Sequence, residues 1–334
     1  MTPRPYRGTS IATTIFVALG TALLVPAVSA PAASATAPAP QTFGTTWSGA
    51  DWGGGDQFPA NQSCGTTYTV PAGISLVHVT AVGGRGAPGS DMSVDPSGKI
   101  SFLGTNGGGD GGLAAKVSGY IGVTPGQVLH VVVATDAGSP MNSSEINWPP
   151  AGGWGGGGVS ANGDAPVSGG GGGASYVTLD NLLDSDAANM GGRTIDNRAG
   201  TMCKPAAVWN NYNYDDSANM LIVAGGGGGG GNASSFGHGG AGGNAGLLGQ
   251  GAGNAGGGSG SGGGGGGNGG TQTAGGTAGY LGANSSACDQ ERWPGQFLSG
   301  GYAGVDSFTQ SGSGAGGSGM WGGGAGGRSC VSAG

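Results

Sequence analysis

The sequence predicts an all-β protein, a β-sandwich into which an array of extended glycine helices is inserted. Three observations carry that reading. Short runs rich in β-branched residues end at proline and glycine, which is the chemistry of strands and turns. A helical repeat of apolar residues is nearly absent, and 180–188 is the one short stretch that reads as helix. Glycine accounts for 86 of 334 residues, far above ordinary usage, and is gathered into tracts that alternate with the strand runs.

Residues 1–35 read as a secretory signal peptide. Arg4 and Arg7 supply its positive start, 11–25 its apolar stretch, and Ala33-Ser34-Ala35 the small residues before a cut after Ala35. Residues 36–60, Ala/Pro-rich and then Gly/Trp-rich, read as a flexible leader, and 61–334 as one glycine-rich domain. No later run is apolar and long enough to span a bilayer, so the mature chain is expected to carry no membrane span.

The strands follow in order. Thr66–Val70 and Ile74–Val82 flank the turn Pro71-Ala72-Gly73 and read as two strands joined tightly. Leu113–Val123 comes next, then the turn Thr124-Pro125-Gly126, then Gln127–Ala134. Ser175–Leu179 and Met220–Ala224 are shorter apolar runs abutting glycine. Several short strands with Pro/Gly turns predict a sandwich.

The glycine tracts are read by what glycine lacks. The longest are Gly169–Gly173, Gly225–Gly231 and Gly262–Gly267, and 221–288 contains no Asp, Glu, Lys or Arg. An extended helix of three residues per turn points its amides outward. Without side chains to separate them, several such helices can hydrogen-bond side by side. An array of polyglycine II helices, mainly over 225–283, is therefore predicted, with Leu247, Leu248, Tyr280 and Leu281 as anchors. Collagen is excluded, because the Gly-X-Y period and its prolines are missing.

Loss of 1–35 removes two arginines and no acid, taking the net charge from −7 to −9. An acidic chain without a basic run repels phosphate backbones, which excludes nucleic acid as an expected partner. Cys64, Cys203, Cys288 and Cys330 are an even set in an exported chain, so two disulfides are expected. Three connectivities are possible; Cys203–Cys288 with Cys64–Cys330 is the pairing favoured, since it ties the first strand to the last.

The order of these elements is familiar. A strand pair around Val70-Pro71-Ala72-Gly73 is followed by a glycine tract running into Ala174-Ser175-Tyr176-Val177. Met220–Ala224 then runs into polyglycine. From Cys64 to Cys330 this pattern resembles the glycine-rich extracellular region of anaplastic lymphoma kinase and leukocyte tyrosine kinase, shared by secreted bacterial glycine-rich proteins. The resemblance implies a tumour-necrosis-factor-like β-sandwich with inserted glycine helices and, as in those receptors, binding of protein ligands. The chain departs from the receptors in having no kinase elements: Val-Ala-Ile-Lys, His-Arg-Asp and Asp-Phe-Gly are all missing, so a kinase label would have no chemistry beneath it.

Motifs for chemistry are weak. Gly84-Arg85-Gly86-Ala87-Pro88-Gly89 matches a dinucleotide fingerprint by composition, but no helix follows it. His78 and His130 fall inside strands and read as sheet fillers, while His238 reads as loop. No serine sits in a nucleophile elbow, and no enzyme activity or cofactor is expected. Asp180, Asp184, Asp186, Asp215 and Asp216 are clustered acids that read as solvated loop charge, as does the lone calcium-like repeat at 107–113, and no metal site is expected. Trp148, Trp154, Trp209, Trp293 and Trp321 read mostly as loop residues beside Gly, Pro or Asn, whose rings either cover the ends of the sandwich and the glycine array, the favoured reading, or form a recognition surface. The densest aromatic patch, Trp209 with Asn211, Tyr212 and Tyr214, is the candidate ligand site, because exposed aromatics beside Asn serve protein and glycan recognition.

The leading expectation is thus a secreted, non-catalytic surface or matrix protein that acts as a binding or adhesion module toward an extracellular protein or glycan. A structural cell-envelope protein that self-associates through glycine helices is the alternative. A secreted hydrolase is the third.

Overall fold

The computed structural model describes residues 38–43, 65–89, 92–94, 100–102, 108–137, 152–153, 156–158, 168–179, 217–231, 240–246, 267–279, 294–303 and 314–326. All four cysteines, the 180–188 stretch and the anchors Leu247, Leu248, Tyr280 and Leu281 lie outside these residues. The chain divides into the units Met1–Thr42 and Phe43–Gly334, and everything below concerns the second.

Among its described residues eight strands form: β1 (Thr66–Thr69), β2 (Leu76–Val82), β3 (Met92–Val94), β4 (Ile100–Phe102), β5 (Lys116–Gly122), β6 (Val128–Val132), β7 (Ser175–Thr178) and β8 (Met220–Ala224). A 3-10 turn at Ser217–Asn219 leads into β8. Every pairing is antiparallel. One sheet has the order β1-β6-β7-β8, and β2-β5 and β3-β4 are two-stranded. The described part is therefore all-β.

Two tight turns have the composition their geometry demands. Ile74 N–H donates to Pro71 C=O at 3.2 Å with Gly73 at φ 81°. Gln127 N–H donates to Thr124 C=O at 2.9 Å with Gly126 at φ 81°. A positive φ at the third position is what a type II turn requires of glycine, and Pro125 presets the residue before Gly126. The first turn does not make a hairpin, however. β1 pairs with β6 and β2 with β5, so Pro71–Ile74 carries the chain from one sheet to the other. Turn residues fix a change of direction, but the partner is chosen by burial.

That burial is shared between the two sheets. Val77 and Val79 of β2 pack against Leu129 and Val131 of β6, Val177 of β7, and Leu221 and Ile222 of β8. Consecutive residues on one face are possible because β8 carries an irregularity: Val177 pairs with Ile222 but Thr178 pairs with Met220, leaving Leu221 as an extra residue. Beyond the bulge the alternation resets, so Val223 joins the opposite face with Tyr176 and Val132. That second face is closed by Phe297 and Leu298 with Trp321, whose ring meets Phe297 edge-on at 5.7 Å. Leu298 adopts φ 52°, a left-handed conformation that costs a leucine about 1–2 kcal/mol. Its side chain is fully buried, which offsets a cost of that size. Ser175 joins both sheets at one end: its hydroxyl donates to Val82 C=O at 2.6 Å and accepts from Ala134 N–H at 2.8 Å.

Beyond the strand ends the chain continues as glycine tracts, and these hydrogen-bond to each other almost wholly through backbone, with Leu113 N–H donating to Asn244 Oδ1 at 2.8 Å as a side-chain exception. The first tract (83–89) extends β2, the second (108–115) enters β5, the third (168–174) enters β7, and the fourth (225–231) extends β8. The first tract donates to the second from Gly83, Gly86 and Gly89, every third residue. The second donates to the fourth from Gly109, Gly112 and Ala115, again every third residue. A fifth tract (240–246) and a sixth (314–319) bond to the fourth in the same rhythm. The absence of side chains is a steric requirement: a Cβ on Gly227 or Gly230 would stand 2.0 or 1.9 Å from the carbonyl oxygen of Gly112 or Gly109.

Candidate binding face

Strand alternation gives β2 and β5 two unlike faces. Val77, Val79, Ala81, Val117 and Ile121 turn inward, and Leu76, His78, Thr80 and Val82 with Lys116, Ser118 and Tyr120 turn outward. Register then sets outward residues opposite one another: His78 faces Tyr120, Thr80 faces Ser118, and Val82 faces Lys116.

The outward side chains form a connected surface. The His78 and Tyr120 rings lie 4.7 Å apart between centroids, tilted by 52°. Ser118 Oγ is 2.8 Å from Thr80 Oγ1, 2.9 Å from His78 Nε2 and 3.3 Å from Val79 C=O. Tyr120 is 73% exposed, Leu76 57% and Val82 53%. Gly122, opposite Leu76, has open space where a side chain would stand. The result is an aromatic ring bordered by hydroxyls, an imidazole, two aliphatic side chains and one cation, Lys116.

Chemically, Ser118 and His78 have the contact that a nucleophile and its base require. A triad further needs a group that orients the imidazole. Among the described residues no carboxylate is hydrogen-bonded to His78, and the pair lies on an open sheet face.

The site residues expected from sequence, Trp209, Asn211, Tyr212 and Tyr214, lie outside the described residues, as do the acids of 180–186 and 215–216. Among the described residues no three His, Cys, Asp or Glu side chains gather as for a metal ion. Two motifs weighed for chemistry belong to the glycine array. The fingerprint at 84–89 is the first tract, and the calcium-like repeat overlaps the second, where Asp110 C=O accepts from Gly242 N–H at 2.7 Å. Trp321, expected in a loop, is half-buried against Phe297. His130 fills a sheet position in β6, with its Nδ1 buried and without a partner among the described residues. The outward face itself went unread. Its signal is the alternation of polar and apolar residues in β2 and β5, which shows only once their register is known.

No family model, curated protein or solved structure matches the chain. Among the described residues no helix is long and apolar enough to cross a membrane.

Proposed function

We propose that the chain is a secreted, non-catalytic surface or matrix protein, in which a tumour-necrosis-factor-like β-sandwich with inserted polyglycine II helices serves as a binding and adhesion module. The observation that carries the reading is the uncovered β2–β5 face, with Tyr120 73% exposed beside His78, Thr80 and Ser118. A tyrosine with an apolar ring and a polar tip supplies large contact area with few torsions to order, which favours recognition surfaces. The three-residue rhythm of the glycine bonds supports the polyglycine II assignment. The signal-like 1–35 stretch supports export. The partner is an extracellular protein or glycan.

Binding of the purified chain to a glycan array and to isolated cell walls tests this. Saturable binding is expected, weakened about tenfold or more by Tyr120→Ala, as for an aromatic at the centre of a contact. Trp209→Ala tests the patch at 209–214 in the same assay. Binding that ignores Tyr120→Ala and Leu76→Ala alike would remove the β2–β5 face from the account.

A further inference from the structure

Among the described residues the fourth glycine tract is the centre of an incomplete ring. Its amides rotate among three neighbours with a period of three. Gly228 and Gly231 donate to the fifth tract, Gly227 and Gly230 to the first, and Gly226 and Gly229 to the sixth. Its carbonyls follow the same rotation: Gly225, Gly228 and Gly231 accept from the second tract, and Gly227 and Gly230 from the third. The carbonyls of Gly226 and Gly229 accept from no amide among the described residues.

The neighbours are also bonded to one another. Fifth bonds to second, second to first, first to third, and third to sixth, but among the described residues no bond joins sixth to fifth. Around the centre the order is therefore fifth, second, first, third, sixth, then a gap. Taken in that order, the central chain donates, accepts, donates, accepts and donates. The missing partner is an acceptor's partner, one that offers amides to Gly226 and Gly229.

Two independent observations agree. First, side-chain directions rotate in the same sense. A Cβ on Gly226 would strike the third tract at 2.2 Å and one on Gly227 the second at 2.0 Å, whereas Gly225 and Gly228, which face the gap, meet nothing closer than 3.0 and 3.2 Å. Second, a cavity of about 1040 Å³ lies there, bordered by Gly225 and Gly228, by Gly243 and Gly246 of the fifth tract, and by Gly316 and Gly317 of the sixth. It continues along β8, an edge strand of its sheet, past Met220 and Val223 to Trp321.

We propose that this groove docks an extended glycine-rich tract from a second copy of this chain. The docked tract would donate amides three residues apart, about 9 Å at the rise of such a helix, to Gly226 and Gly229. Among the described residues the lining carries one charged side chain, Lys116, and is otherwise mostly backbone and small residues, which suits an uncharged chain without side chains at the rows it presents. This chain is itself a source of such tracts: 221–288 carries no acidic or basic residue. The proposal goes beyond the β2–β5 reading and rests on the glycine tracts, with Lys116 and Ser118 bordering both.

The test uses the purified chain in sedimentation velocity over a range of concentrations, with a synthetic peptide of the sequence 253–266 as competitor. Reversible self-association is expected, dissociated by the peptide, with a shift in Trp321 emission when the peptide binds. Gly228→Val, which projects into the gap, should weaken self-association and peptide binding at least tenfold, while Gly119→Ala leaves both unchanged. A chain that stays monomeric and ignores the peptide overturns the proposal, whether the groove is empty or filled by the same chain. Association indifferent to both peptide and Gly228→Val overturns it too, by placing the contact elsewhere. Should Gly228→Val fail to fold, the peptide titration on the unaltered chain decides alone.

Discussion

At the scale of single residues, glycine is under two different constraints. In the tracts it is required because backbone stands where a side chain would be; Gly227 faces Gly112 C=O at 2.0 Å from the position of a Cβ. In β5, Gly119 has open space around it and no positive φ. Gly227→Ala is therefore expected to destabilise by about 3 kcal/mol or more, as overpacking against rigid backbone does. Gly119→Ala should stay within about 0.5 kcal/mol, which urea unfolding of both variants checks. Composition shows that glycine is needed, but the position-by-position difference depends on which backbone lies opposite.

Tyr176 gives a second residue-level prediction. Burial raises its hydroxyl pKa above the usual tyrosine value, because the anion would lose its water. The unfolded chain ionises near pH 10. Above that pH the unfolded state releases a proton that the native state keeps, so the stability present below pH 10 is lost as pH rises toward the folded pKa. Urea midpoints should fall between pH 9 and 11 in the wild type and fall less in Tyr176→Phe. Parallel slopes would show that Tyr176 does not report on this burial.

At the scale of elements, the strands were legible because their chemistry is local. Met220–Ala224 is read from β-branched content and a glycine boundary, and it forms with those limits. The turns at Gly73 and Gly126 were legible for the same reason. β3 and β4 were not, since each is three residues long and too short for a period to show. The exchange of partners between β1 and β2 was not legible either, because pairing depends on residues far apart, such as Tyr68 opposite Leu129. In the glycine tracts the element is defined by rotation. One glycine inserted after Gly228 turns 229–231 by a third of a turn, away from all their partners, at about 1 kcal/mol per bond lost. Three inserted glycines restore the directions. Melting temperature should fall further for the single insertion than for the triple one, and equal losses would deny the three-residue rhythm.

At the scale of the molecule, the sheets and the glycine array are one construction. Four strand ends run directly into tracts, so the register set by apolar burial in β2, β5, β7 and β8 is carried into the backbone bonds beyond. That glycine can pack against glycine is legible in composition. Which tract lies beside which is not, because polyglycine has no side chains to record its neighbour. The same limit hid the β2–β5 face, whose residues were visible but whose juxtaposition awaited the register. Tracts that are bonded structure and not linker must hold their amides against solvent, and hydrogen exchange of 225–231 measures this. Amides protected as strongly as those of β7 and β8 are expected. Exchange at the rate of an unstructured chain, with the strands still protected, would contradict this.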